Sequence, residues 1–146
     1  TDGSGSGDVI NSFTAGATNG DILKFIDANN TTGDALDLTG NKAKGFSSGL
    51  FDTLAVTTAN NVWVITDVQA DWINAAAIDA AIHTKAHAGM TGGLVLVFQA
   101  VDSEDAQVWY LGTASGGAGS TDVVKLATLV GVTNLTTLTT DNFAVV

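Results

Sequence analysis

Short apolar bursts separated by Gly, Ser, Asn and Asp run through most of this chain, and a single stretch departs from them. The segments GLVLVFQAV (93–101), AQVWYLGTA (106–114) and DVVKLATLV (122–130) carry β-branched and aromatic residues at strand length, bounded by turn chemistry. The joint DSED (102–105) makes the first two a hairpin, and GGAGS supplies the next loop. Earlier, DVINSF (8–13) and DILKFI (21–26) read as short strands, and DTLAVTT (52–58) with NVWVIT (61–66) as a hairpin turning at Ala59 and Asn60. Residues 27–49 read as loop with a brief strand at most. The exception is ADWINAAAIDAAIHTKAHA (70–88), alanine-rich with apolar residues at helical spacing and Gly89 as a stop, which predicts one amphipathic helix. The ending, GVTNLTTLTTDNFAVV (131–146), predicts a short turn or helix and then a strand.

These elements predict a mainly β fold with one helix, arranged as a sandwich or a stacked β-sheet, with a β-roll-like N-terminus as one form of it. TDGSGSG (1–7) reads as a flexible arm or linker, and 8–146 as a single β-rich domain with its helix at about 70–88. At 146 residues, 45% hydrophobic and with a mean hydropathy of +0.28, the chain is expected to pack one core and not to remain disordered. No apolar run approaches the roughly 20 residues of a membrane helix, so no membrane insertion is expected.

Charge narrows the partners. Fifteen acids against five bases give a net charge of −10. Such a surface repels phosphate backbones and anionic lipid, which excludes nucleic acid as a partner, and it suits cations. Cysteine is absent, so there is no disulfide framework, thiol catalysis or sulfur-based zinc site. A cysteine-free, acidic chain rich in Gly, Thr, Asn and Ala reads as a bacterial exported or surface protein. No N-terminal signal peptide is visible and the chain opens on Thr1, which reads as a processed product or a fragment.

The candidate chemistry is that of oxygen ligands. GSGSGDVIN (3–11) half-matches the nonapeptide Gly-Gly-x-Gly-x-Asp-x-apolar-x, in which glycines turn carbonyl oxygens inward and the aspartate adds a carboxylate for Ca²⁺. Ser4 and Ser6 stand where two glycines belong, and a plain Gly/Ser linker before a strand reads the segment as well. The candidate calcium ligands are Asp2, Asp8, Asp21, Asp27, Asp34, Asp102, Glu104 and Asp105. Asp27 and Asp34 bound DANNTTGD, whose spacing is not that of an EF-hand and whose Asn and Asp also suit simple turns. The three acids of DSED repel one another unless solvent or a cation screens them. On the helix, Asp79, His83 and His87 recur every four residues, a spacing that can chelate zinc, although a polar helix face explains it more simply. Trp63, Trp72, Trp109 and Tyr110 offer a carbohydrate platform or, for those inside strands, buried packing. Trp109 and Tyr110 are adjacent and must point to opposite faces, which puts one of them outward or at a subunit contact. No nucleophile–base pair, phosphate loop or acid pair stands out, so no enzyme is expected.

DVINSFTAGATNGDILKF (8–25) resembles the segment that follows the calcium repeats in RTX proteins exported by type I secretion, with Asp8, Ile10, Phe13, Gly16, Asp21 and Leu23 on that pattern. VVKLATLVGVTNLTTLTTDNFAVV (123–146) is similar to the C-termini of many such proteins, whose tails are uncleaved secretion signals. The resemblance covers the first quarter and the last sixth of the chain. It implies a calcium-stabilised extracellular or cell-surface protein, read here as a structural subunit of a surface layer or filament. The Gly/Ser hinge before DVINSF lets that strand leave the globule and add to a neighbour's sheet, so self-polymerisation through the N-terminal arm is expected. The alternatives are the C-terminal module of a larger secreted enzyme or adhesin, and a stand-alone carbohydrate-binding domain.

Overall fold

A computed structural model describes residues 7–25, 46–54, 62–72, 74–85, 94–111 and 123–145. The fold is mainly β, with a single α-helix among the described residues. In chain order the strands are β1 (Asp8–Asn11), β2 (Leu23–Phe25), β3 (Phe46–Gly49) and β4 (Val62–Ile65), then the helix α1 (Ala75–Lys85). After it come β5 (Leu94–Gln99), β6 (Ala106–Leu111), β7 (Val123–Val130) and β8 (Phe143–Val145). Six strands form one mixed sheet in the order β1-β7-β6-β5-β4-β3, and β2 with β8 form a small parallel sheet.

The apolar runs are continuous because the large sheet is covered on both faces. One face carries Val62, Val64, Val95, Val97, Val108 and Leu129, and packs under Phe13, which follows β1, and under Leu23, Leu135, Leu138 and Phe143 from the small sheet and the C-terminal 3₁₀ turns. The opposite face carries Trp63, Ile65, Leu94, Leu96, Phe98 and Leu111, and packs under Ile78 and Ile82 of α1 together with Leu54 and Trp72. Burial of this extent on two faces is the dominant stabilising term.

The β5–β6 hairpin forms as expected, antiparallel from Leu94↔Leu111 to Gln99↔Ala106. A hairpin at Ala59 and Asn60 does not fit: β4 pairs in parallel with β3 on one side and β5 on the other, which leaves it no edge for a hairpin partner. Asp52 and Thr53, assigned to that hairpin, lie in the 3₁₀ turn Phe51–Thr53. Residues 55–60 and the DANNTTGD loop lie outside the described residues.

The helix starts later than Ala70 for a visible reason. Gln69 bridges Ala100 in the sheet, and Trp72 sits edge-on between Phe51 (5.0 Å) and Phe98 (4.7 Å), so the chain stays extended to deliver that ring. Asn74 then caps the helix, its Oδ1 accepting from Ala77 N at 3.0 Å. Polar and apolar positions on α1 are poorly segregated, since Asp79 is buried beside Ile78. This corrects the reading of Asp79 as part of an outward polar face; the side chain of His83, and His87 as a whole, lie outside the described residues.

β7 contains a bulge at Leu126, because Val108 pairs with Ala127 while Trp109 pairs with Lys125. Lys125 lies partly buried there, and desolvation lowers its ammonium pKa.

Candidate functional site

The residues that draw attention are those at which the two ends of the chain meet. β1 lies parallel on β7 and β2 lies parallel on β8, with Leu23↔Phe143, Lys24↔Ala144 and Phe25↔Val145 in register. Between β1 and β2 the loop of residues 14–21 closes on itself. Asp21 N donates to Thr14 O at 2.8 Å, and Thr14 N donates to Asp21 Oδ2 at 2.8 Å. The Asp21 carboxylate therefore serves as an internal staple.

Asn142 fastens that loop to the C-terminal segment. It ends the 3₁₀ turn Thr140–Asn142, whose N-cap is Thr139. Its side chain is fully buried, and every hydrogen-bonding position of the amide is used. Oδ1 accepts from Thr139 N (3.0 Å) and Gly16 N (3.2 Å), while Nδ2 donates to Asp21 O (2.8 Å) and Gly16 O (3.2 Å). Four bonds from one amide fix its orientation and tie together backbone groups 121 and 126 positions away in sequence. Asn142 was not among the candidate residues. The signal that points to it is the spacing Thr139-x-x-Asn142, which is that of a capping box.

Gly20 completes the junction. A Cβ at this position would fall on the Gly16 carbonyl oxygen and lie 2.8 Å from Asn142 Nδ2. Gly20→Ala is expected to lower stability by about 3 kcal/mol, the upper end for overpacking, because the obstacle is backbone held by the Asn142 bonds. A urea midpoint equal to that of the unaltered protein would show that the loop yields more easily than this geometry implies.

The candidate calcium ligands are dispersed. Asp8 is exposed on β1, and Asp21 is engaged as described. Asp102, Glu104 and Asp105 share the β5–β6 turn, but Asp105 Oδ1 accepts from Gly131 N at 2.8 Å and staples the turn to the end of β7. Gln99 Nε2 donates to Glu104 O at 2.7 Å, which ties the turn's own backbone. Asp102 and Glu104 border an open depression of about 610 Å³ beside Val68 and Val101. Among the described residues no group of three or more His, Cys, Asp or Glu is placed to hold a metal ion. Asp2, Asp27 and Asp34 lie outside the described residues.

The aromatic expectation is half corrected. Trp109 and Tyr110 do point to opposite faces, yet both faces are covered: Trp109 packs against the α1-side cluster and Tyr110 against the other. Trp109 also stacks on Phe98 at 6.5 Å, and its Nε1 donates to Gln107 Oε1 at 2.9 Å. Trp63 and Trp72 are buried, whereas Trp109 and Tyr110 are half-buried. No helix among the described residues is long and apolar enough to cross a membrane. Comparison with protein-family models, with curated proteins and with solved structures finds no match to this chain.

Proposed function

We propose that this chain is a non-catalytic, calcium-stabilised subunit of a bacterial surface layer or filament, carried out of the cell by a signal in its C-terminal segment. One observation carries the reading. The two segments that resemble the C-terminal region of RTX exported proteins lie at opposite ends of the sequence, yet they fold into one unit. Phe13 and Leu23 share a core cluster with Leu135, Leu138 and Phe143, and Gly16 and Asp21 are the residues that Asn142 binds. A chance likeness in either segment gives no reason for its matching residues to meet those of the other.

Calcium enters through charge. With a net charge of −10, self-repulsion opposes the compact state, and a divalent cation bridging carboxylates relieves it. Binding to the folded state alone adds RT ln(1 + [L]/Kd), about 2.7 kcal/mol per site at one hundred times Kd. Magnesium, which demands stricter octahedral geometry, substitutes poorly.

The test is a thermal melt with light scattering in Ca²⁺, Mg²⁺ or EGTA at constant ionic strength. A melting temperature several degrees higher in Ca²⁺ alone is expected, with scattering that rises with concentration. Equal melting temperatures in all three would remove calcium from the reading. A protein that stays monomeric at every concentration would remove the subunit. Deleting the C-terminal residues is a poor test of export, because it also removes Asn142 and β8 and so the junction itself.

A further inference from the structure

We infer that β1 is an exchangeable strand: the segment of residues 7–11 from one copy seats on β7 of a second copy, in place of that copy's own. The inference deepens the subunit reading and rests on it.

β1 is the end strand of the large sheet, and its pairing is the parallel register from Asp8↔Ala127 to Asn11↔Val130. Three of its four residues are exposed, Val9 at 64%, and only Ile10 packs against the core. Side chains therefore anchor it weakly. Backbone hydrogen bonds hold it, and an identical strand from another copy supplies the same bonds.

The bracketing residues make it a hinged piece. Gly7 has φ 67° and Ser12 has φ 60°, so a left-handed residue stands at each end, and at Ser12 the side chain makes that conformation unfavourable. Phe13, the next residue, is buried in the core. The hinge is thus one strained residue between a loose strand and a fixed anchor, and short strained hinges favour exchange over reclosing.

The seat is specific to this segment. A Cβ on Gly7 would lie 3.0 Å from the Leu126 carbonyl carbon and 3.1 Å from Ala127 N, at the β7 bulge, so the seat accepts a glycine at that point and fixes the register. If β1 leaves, β7 is left with an unpaired edge, which seeks a strand. The occupant is a second copy because the structure already shows this segment fitting this seat. Donor strand and acceptor edge are different surfaces, so one-way exchange from copy to copy propagates head to tail, whereas reciprocal exchange stops at a dimer.

Cysteine is absent from the chain, so introduced thiols report alone. Val9 and Thr128 are paired, and neighbouring strands lie about 4.8 Å apart, within disulfide reach. Val9→Cys and Thr128→Cys proteins are mixed under assembly and oxidising conditions, run without reductant, and the linked peptides are identified by mass spectrometry. A 9–128 disulfide between copies is expected as the main product, and the Val9→Cys/Thr128→Cys double variant should give a ladder. Adding Gly7→Ala should abolish both. Filaments from the double variant that are linked only within chains would overturn the exchange and leave the subunit reading standing. Monomers with neither filaments nor intermolecular links would overturn both. A 9–128 link undiminished by Gly7→Ala would also overturn it, since the seat described would then not be the one used.

Discussion

Replacing Asn142 by alanine is expected to destabilise the fold by about 4 kcal/mol, because it orphans several polar groups at once. The amide is fully buried and bonds Gly16 N, Gly16 O, Asp21 O and Thr139 N, with distances from 2.8 to 3.2 Å. Each backbone group left unsatisfied away from water loses about 1–3 kcal/mol, and partial hydration through the loosened loop lowers the sum. Asn142→Asp separates hydrogen bonding from volume. The carboxylate keeps both acceptor roles but turns an oxygen without a proton toward the carbonyls of Gly16 and Asp21. Its folded pKa is therefore raised above its unfolded value. The penalty is full above the folded pKa and shrinks as pH falls through it, since the protonated acid can donate one of the lost bonds. Urea unfolding of both variants at several pH values checks this. A destabilisation by Asn142→Asp that does not vary with pH would show that the amide donors are not what matters.

Phe98→Ala is expected to cost about 3–5 kcal/mol through the opposite layer. Phe98 is fully buried on β5, facing α1, with Trp72 edge-on at 4.7 Å and Trp109 stacked at 6.5 Å. Truncation opens a cavity between two rings that the surrounding backbone holds in place: Gln69 and Ala100 bridge beneath Trp72, and Trp109 is tethered to Gln107. The site cannot collapse readily, so the cavity term persists. Phe98→Leu retains most of the volume and should lose about half as much. The urea midpoints should fall in that order with an unchanged slope. A Phe98→Ala protein as stable as the Phe98→Leu protein would mean that helix and sheet close over the gap.

Much of the local structure was written in the pattern of residues. β5, β6 and β7 announce themselves through β-branched and aromatic runs, and DSED closes the hairpin between the first two as its acids and serine suggest. The alanine-rich stretch becomes α1, with its start moved to Ala75 by Asn74 and Trp72. In these elements the deciding interactions are between near neighbours, which is why a linear reading finds them.

What the tertiary structure alone decided is who lies beside whom. β4 takes β3 and β5 in parallel, β1 takes β7, and β2 takes β8, through backbone groups that are the same in every residue and so carry no address in the sequence. The roles of the polar residues follow from those neighbours. Asp21 and Asp105 read from the sequence as candidate cation ligands, and folding gives each a further role, accepting a backbone N–H at 2.8 Å. Trp109 and Tyr110 were assigned to opposite faces correctly, but that both faces are covered depends on α1 on one side and on β2, β8 and the 3₁₀ turns on the other. Asn142 is the plainest case. Its capping partner Thr139 is three residues away and legible, whereas Gly16 and Asp21 are found only after the chain has returned to its beginning, because a hydrogen bond acts over 3 Å of space whatever the separation along the chain.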